Sequence, residues 1–109
     1  MTRVEATFVQ GDTAPSIVAQ LHDVLDPTKP LDLSQATSVR FQMRKPDDRL
    51  FQVDAEASIT NESQGLVLYS WSATDLGVDG EYDAQWEVHW NDGKIQTVET
   101  PNRINVRRK

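Results

Sequence analysis

Between Gly80 and Gly93 the chain alternates without a fault. Tyr82, Ala84, Trp86, Val88 and Trp90 fall on one parity, and Glu81, Asp83, Gln85, Glu87 and His89 on the other. Successive side chains of a β-strand point to opposite faces, so this pattern predicts a half-buried strand with an aromatic inner face and an acidic outer one. Asn91-Asp92-Gly93 then supplies residues that tolerate positive φ, and the chain is expected to reverse into a second strand over Lys94–Val98. This hairpin alone nearly fixes the fold class.

The remaining chain reads as further strands separated by turns. Val4, Ala6 and Phe8 alternate with Glu5 and Thr7 until Gln10-Gly11-Asp12-Thr13 and Pro15 break the pattern. Ile17, Ala19 and Leu21 alternate with Val18, Gln20 and His22, ahead of a loop rich in Asp and Pro over 23–30. Leu31-Asp32-Leu33-Ser34 forms a turn in which Asp32 or Ser34 can cap a single helical turn. Val39, Phe41 and Met43 alternate with Arg40, Gln42 and Arg44, and Pro46 sits well at the second position of the turn that follows. Phe51 and Val53 predict a short strand, and Ala55, Ala57 and Ile59 another.

Leu66 to Trp71 is apolar on both parities, as in a strand covered on both sides or lying at an interface. The stretch 72–80 can hold one helical turn capped by Ser72 or Thr74. Beyond the hairpin, Ile95 and Val98 are expected to point inward, Pro101 to interrupt, and Ile104 and Val106 to close the sheet. Seven to nine antiparallel strands at roughly ten-residue spacing predict an immunoglobulin-like β-sandwich. One domain over 1–109 is expected, with a short basic C-terminal tail at 103–109. In such sandwiches a Tyr placed like Tyr82 hydrogen-bonds to an upstream backbone group and pins the connection between the sheets.

Composition narrows the function classes. The 109 residues suffice for one sandwich-sized core, and the absence of Cys excludes a disulfide framework, a thiolate metal site and a Cys nucleophile. A net charge of −6 argues against nucleic-acid binding, which needs a basic face to release counterions. No apolar run approaches the roughly 20 residues that cross a bilayer, and the first five residues lack a signal-peptide core, so a chain made and kept in the cytoplasm, or assembled there into something larger, is expected.

Charge is unevenly placed. Asp75, Asp79, Glu81, Asp83, Glu87 and Asp92 occur without an intervening Lys or Arg, whereas Arg40, Arg44, Lys45 and Arg49 form one basic group and Arg103, Arg107, Arg108 and Lys109 another. An acidic face and two basic patches suit contact between copies or with a charged neighbour, although a solvated surface with a basic tail has the same pattern.

No constellation carries chemistry. His22 and His89 fall on the outer faces of separate strands, with no nucleophile motif beside either. The run Asp75-Leu76-Gly77-Val78-Asp79-Gly80-Glu81-Tyr82-Asp83 fails calcium-loop spacing and predicts solvated turn acids. Trp71, Trp86 and Trp90 raise a sugar-stacking platform, but Trp86 and Trp90 share parity with Tyr82 and Val88, which places them in the core with Phe8 and Phe41. No catalytic residue, metal, cofactor or small-molecule substrate is expected. The candidate partner-binding residues are Leu66 and Leu68, from the strand apolar on both parities, and Arg107, Arg108 and Lys109, from the basic tail.

Four blocks also carry a family resemblance. They are Gln10-Gly11-Asp12-Thr13 with Pro15; Leu31-Asp32-Leu33-Ser34-Gln35-Ala36-Thr37 running into Val39-Arg40-Phe41-Gln42-Met43-Arg44; Gly65-Leu66-Val67-Leu68-Tyr69-Ser70-Trp71; and Gly80 to Gly93. In this order and spacing they resemble the N-terminal domain of the phage baseplate upper protein and related small tail-associated domains of siphophages. The similarity runs from about Val4 to Val106. It implies a non-enzymatic structural protein of a bacteriophage virion, a tail or baseplate accessory or adaptor subunit. Its implied partners are other virion proteins and further copies of itself. A capsid decoration (cement) protein and a host-surface or glycan-binding module are the alternatives. Baseplate upper proteins continue into a connector that carries a host-binding fibre, whereas this sequence stops at Lys109, so an adaptor, a decoration subunit or a ring is expected rather than a fibre holder.

Overall fold

The computed structural model describes residues 4–109. Seven strands follow in order: β1 (Val4–Val9), β2 (Ile17–Gln20), β3 (Ala36–Arg44), β4 (Val53–Asn61), β5 (Leu66–Tyr69), β6 (Gly80–Trp90) and β7 (Ile95–Arg107). They hydrogen-bond in the order β1-β7-β6-β3-β4-β5-β2. β4 changes partner along its length: Val53 to Ala57 face β3, and Ser58 to Asn61 face β5 across a register irregularity. Two layers therefore share one strand, five-stranded β1-β7-β6-β3-β4 and three-stranded β4-β5-β2. The result is an all-β, immunoglobulin-like sandwich.

The strands expected separately around Phe51–Val53 and Ala55–Ile59 are the single strand β4, with Phe51 outside it. Not every pair is antiparallel either. β1 runs parallel to β7, with Ala6 opposite Ile104 and Phe8 opposite Val106. Strands from the two ends of the sequence need no tight turn between them, so the restriction that makes neighbouring strands antiparallel is absent.

Parity sets the core. Val39, Phe41 and Met43 on β3, Tyr82, Ala84, Trp86 and Val88 on β6, Val67 and Tyr69 on β5, and Ile104 and Val106 on β7 are all buried. Phe41 sits at the centre. Its ring stacks on Tyr69 at 5.0 Å between centroids and lies 4.9 Å from Trp86, while Trp71 meets it edge-on at 5.6 Å. Phe8 closes the cluster against Trp71 at 5.1 Å. Edge-to-face and offset pairs of this kind add to the burial of apolar area. The one polar group on Trp71, its indole N–H, donates to the Pro15 carbonyl at 3.0 Å.

Turns follow local chemistry. Asn91-Asp92-Gly93 joins β6 to β7, with Gly93 at φ 88 and paired backbone bonds between Trp90 and Gly93 and between Trp90 and Lys94. That is the three-residue hairpin with a left-handed Gly. The stretches after Leu33 and Ser72 are turns rather than helical turns. Pro101 lies within β7 instead of ending it. β6 pairs with Arg103 through Asp83 and with Glu99 through Gln85, so the strand bulges over 100–102 and continues.

Two inward assignments and the extent of the tail change. Trp90 ends β6 beside the hairpin and is only partly buried, because the rim of the sandwich covers one side of it. Ile95 faces outward and is exposed, while Val98 packs partly against the core, since their spacing of three puts them on opposite faces of a strand. The basic tail is also shorter than 103–109. Ile104 and Val106 are core residues of β7, so only Arg108 and Lys109 extend past the strand.

Candidate interaction surfaces

The outer face of the five-stranded sheet is a polar network. Register places Arg40 opposite Glu87 and Gln42 opposite Gln85 across β3 and β6, and Gln42 opposite Asp54 across β3 and β4. Gln42, on the outward parity, is nonetheless only 4% exposed. Its amide donates to Asp54 at 3.2 Å and to Glu87 at 3.4 Å, and its carbonyl accepts from Gln85 at 2.8 Å. A buried amide is tolerated only when its groups are paired in this way.

Arg40 adds a 2.9 Å bond from Nε to the Asp54 carboxylate and a 2.7 Å bond to the Asp54 carbonyl. Partial burial pushes the Asp54 carboxyl up, but the hydrogen bonds from Arg40 and Gln42 and the Arg40 charge outweigh it and hold the group below the ordinary carboxylate value. His89 Nε2 lies 2.7 Å from Glu87 Oε1. His89 lies on the outward parity of β6, whereas His22 follows β2 in an isolated bridge to Pro30 rather than on a strand face.

The connection between β5 and β6 is built on a residue whose role the sequence hides. Asp75 is 9% exposed, not a solvated turn acid. Its carboxylate accepts from the Tyr69 hydroxyl at 2.6 Å, the Ser72 backbone N–H at 2.7 Å and the Ser72 hydroxyl at 2.7 Å. The Ser-x-x-Asp spacing is the available signal, because an acid three residues after Ser can reach back to its backbone N–H. Burial, then the bond to Asp75 and its charge, pushes the Tyr69 hydroxyl well above the ordinary tyrosine value. Four residues before Tyr82, the Val78 carbonyl accepts the Tyr82 hydroxyl at 2.6 Å. Among the described residues no group of acids and histidines is arranged to hold a metal ion.

The candidate partner-binding residues divide between two surfaces. Leu66 and Leu68 lie on the outer side of β5 and are half-buried, while Val67 and Tyr69 point inward, so the strand apolar on both parities has one face in the core and one near solvent. Leu68 stands opposite Val18 of β2, which is 63% exposed, and the pair forms an apolar strip. Arg107, Arg108 and Lys109 are exposed at the end of β7, in the other sheet. Arg108 lies 3.5 Å from Asp79 of the same chain, and Arg103 reaches Glu81 at 3.2 Å, so the basic end partly neutralises its own acidic run. Exposed pairs like these contribute little stability and release readily.

The three tryptophans form no exposed platform. Trp71 and Trp86 are buried and Trp90 partly so. A groove of about 640 Å³ does exist, lined by Gln20 to Val24 and Pro27 on one wall and by Gln96 to Glu99 of β7 on the other.

The sequence matches the family described as BppU N-terminal domain over residues 5–102. No curated protein matches it. Among solved structures, the crystal structure of CopC from Methylosinus trichosporium OB3b is similar at 10% identity with a TM-score of 0.52, over 94% of this chain and 85% of that one. Murine CRIg is similar at 13% identity with a TM-score of 0.42, over 96% of this chain and 92% of that one. At 10% identity the likeness to CopC concerns the fold alone.

Proposed function

This chain belongs to the BppU N-terminal domain family, that of the phage baseplate upper protein, and from that premise we propose that it is a tail or baseplate adaptor subunit that binds neighbouring virion proteins and further copies of itself. The family is a structural component of the phage tail and baseplate. The observation that carries the reading is the extent of the match, residues 5–102, which spans all seven strands in part or whole.

Surface design supports the adaptor role. An adaptor needs two separate contacts, and the Val18–Leu66–Leu68 strip and the Arg107–Lys109 end lie on different sheets. The strip supplies apolar area that a lone domain leaves wet, and the basic end supplies steering toward an acidic neighbour. Nothing in this role calls for a catalytic group, cofactor or small-molecule substrate.

The test is to label the protein in purified phage particles and locate it by electron microscopy. Label at the tail tip in a fixed ratio to the tail proteins is the expected result, and a Leu68→Lys variant is expected to lower that occupancy several-fold. Label over the capsid would replace the proposal with a decoration role. Particles devoid of the chain, or binding of the isolated domain to host-surface glycan, would overturn it.

A further inference from the structure

The groove has an unusual wall. β7 hydrogen-bonds to β6 through Ile95–Glu99, but β1 covers its other edge only from Asn102 to Arg107. Among the described residues no strand pairs with that second edge over Ile95–Glu99, so alternate N–H and C=O groups there have no ladder partner among those residues. Facing it, β2 is itself the last strand of the other layer, paired with β5 alone. The roughly 640 Å³ groove thus opens between this stretch of β7 and the connection that leaves β2 at Gln20, at the side of the sandwich where the layers are not joined. Five residues of free edge span about 17 Å at the rise of an antiparallel strand.

Its lining specifies the occupant. Leu21, Val24, Pro27 and Val98 give an apolar floor and wall, Asp23 and Glu99 are acidic, and no Lys or Arg lines it. Asp23 accepts a bond from the Leu25 N–H, which fixes its carboxylate in place. Glu99 is exposed.

Resting on the virion assignment above, we propose that this groove receives an extended segment of a neighbouring virion protein. The segment adds as a strand to β7 at Ile95–Glu99, sets an apolar side chain against Val98 and presents a basic one to Asp23 and Glu99. Backbone ladder bonds supply affinity in this mode, and the side chains on alternate positions supply selectivity. An open edge is a template for pairing, and a protein that assembles can leave it bare until the partner arrives.

Hydrogen exchange in the isolated domain and in purified particles decides the matter. The amides of 95–99 are expected to exchange at least tenfold slower in particles, and Glu99→Lys to lower incorporation about tenfold while leaving the melting temperature of the isolated domain within a degree or two. Incorporation at full occupancy with unchanged exchange at 95–99 would overturn the strand addition and leave the adaptor role standing. Protection already present in the dilute isolated domain would assign the groove to the chain's own residues, and protection appearing only as that domain self-associates would assign it to a second copy. Either result refutes the proposal. Absence of the chain from particles removes both readings.

Discussion

Asp75→Ala tests the buried carboxylate that ties β5 to β6. The side chain, 9% exposed, collects the Tyr69 hydroxyl at 2.6 Å and two donors of Ser72 at 2.7 Å. Hydrogen bonds to a charged group contribute about 1.5–3 kcal/mol each, and a buried donor left unpaired costs a similar amount. The three are not equal. Tyr69 is buried and cannot recruit water, so its bond carries the full value, whereas Ser72 is exposed and its donors turn to solvent for roughly 0.5–1 kcal/mol each. The sum is about 2.5–5 kcal/mol. At an unfolding entropy near 2.1 cal/mol/K per residue, a domain of this size loses roughly 4 °C per kcal/mol, hence about 10–20 °C here. Thermal and urea melts followed by circular dichroism measure it. Tyr69→Phe is expected to cost about 1.5–3 kcal/mol and Ser72→Ala about 1 kcal/mol. Because Tyr69 and Asp75 share one bond, the Tyr69→Phe/Asp75→Ala pair should fall short of additivity by about 1 kcal/mol or more. An Asp75→Ala variant that melts within 4 °C of the parent, or strictly additive losses, would refute the assignment.

Trp86→Ala is expected to cost about 3–5 kcal/mol because the indole is 1% exposed against Phe41, whereas Trp90→Ala, at the half-open rim, should cost less than half as much; equal losses in urea melts would contradict this face assignment. Gly65 adopts φ +64, and an added Cβ would lie 2.6 Å from the Leu21 carbonyl oxygen and 2.7 Å from that of Leu31, so Gly65→Ala should destabilise by more than about 2 kcal/mol, and a neutral melt would show that the backbone yields there. Tyr82→Phe should cost about 1 kcal/mol, the low end for a lost hydroxyl bond, since Val78 is 45% exposed and water can take over the bond; a loss above about 3 kcal/mol would mean the carbonyl is sealed. Burial and the charges of Asp79 and Asp48 push the Tyr82 hydroxyl up, as burial and Asp75 do for Tyr69, so the folded state holds both protons after an unfolded tyrosine releases its own near about pH 10. Stability is therefore complete below that pH and should decline above it by about 1.4 kcal/mol per pH unit for each tyrosine, and urea midpoints constant from pH 9 to 11 would exclude this.

Local periodicity carried most of the architecture. The faces of β3 and β6 were legible because Val39-Phe41-Met43 and Tyr82-Ala84-Trp86-Val88 each keep one parity and end in recognisable turns. What pairs with what was not legible. Neither the parallel β1–β7 pair nor the change of partner along β4 leaves a local mark, because both depend on which distant strands remain unpaired once the layers form. Gln42 and Asp75 escaped for a related reason. An outward amide becomes buried only when neighbours from two other strands close over it, and an acid in a turn looks solvated until Tyr69 arrives beside it. The groove likewise has no signature in sequence, being the space between β7 and a connection after β2 that is far from it in the chain. The candidate residues Leu66, Leu68 and Arg107–Lys109 were visible as an excess of apolar and basic character, but their placement on different sheets was not.

The parallel register of β1 and β7 has a mechanical meaning. Val9 lies beside Arg107 while the chain enters β1 at the level of Asn102, so the two strands leave their shared ladder in opposite directions. A load drawing the chain's ends apart along the strand axis would pull β1 one way and β7 the other, across their hydrogen bonds. Those bonds would then be sheared together and not peeled one at a time. A domain joined to neighbours at both ends would transmit such tension through the β1–β7 seam before any of it reached the aromatic interior.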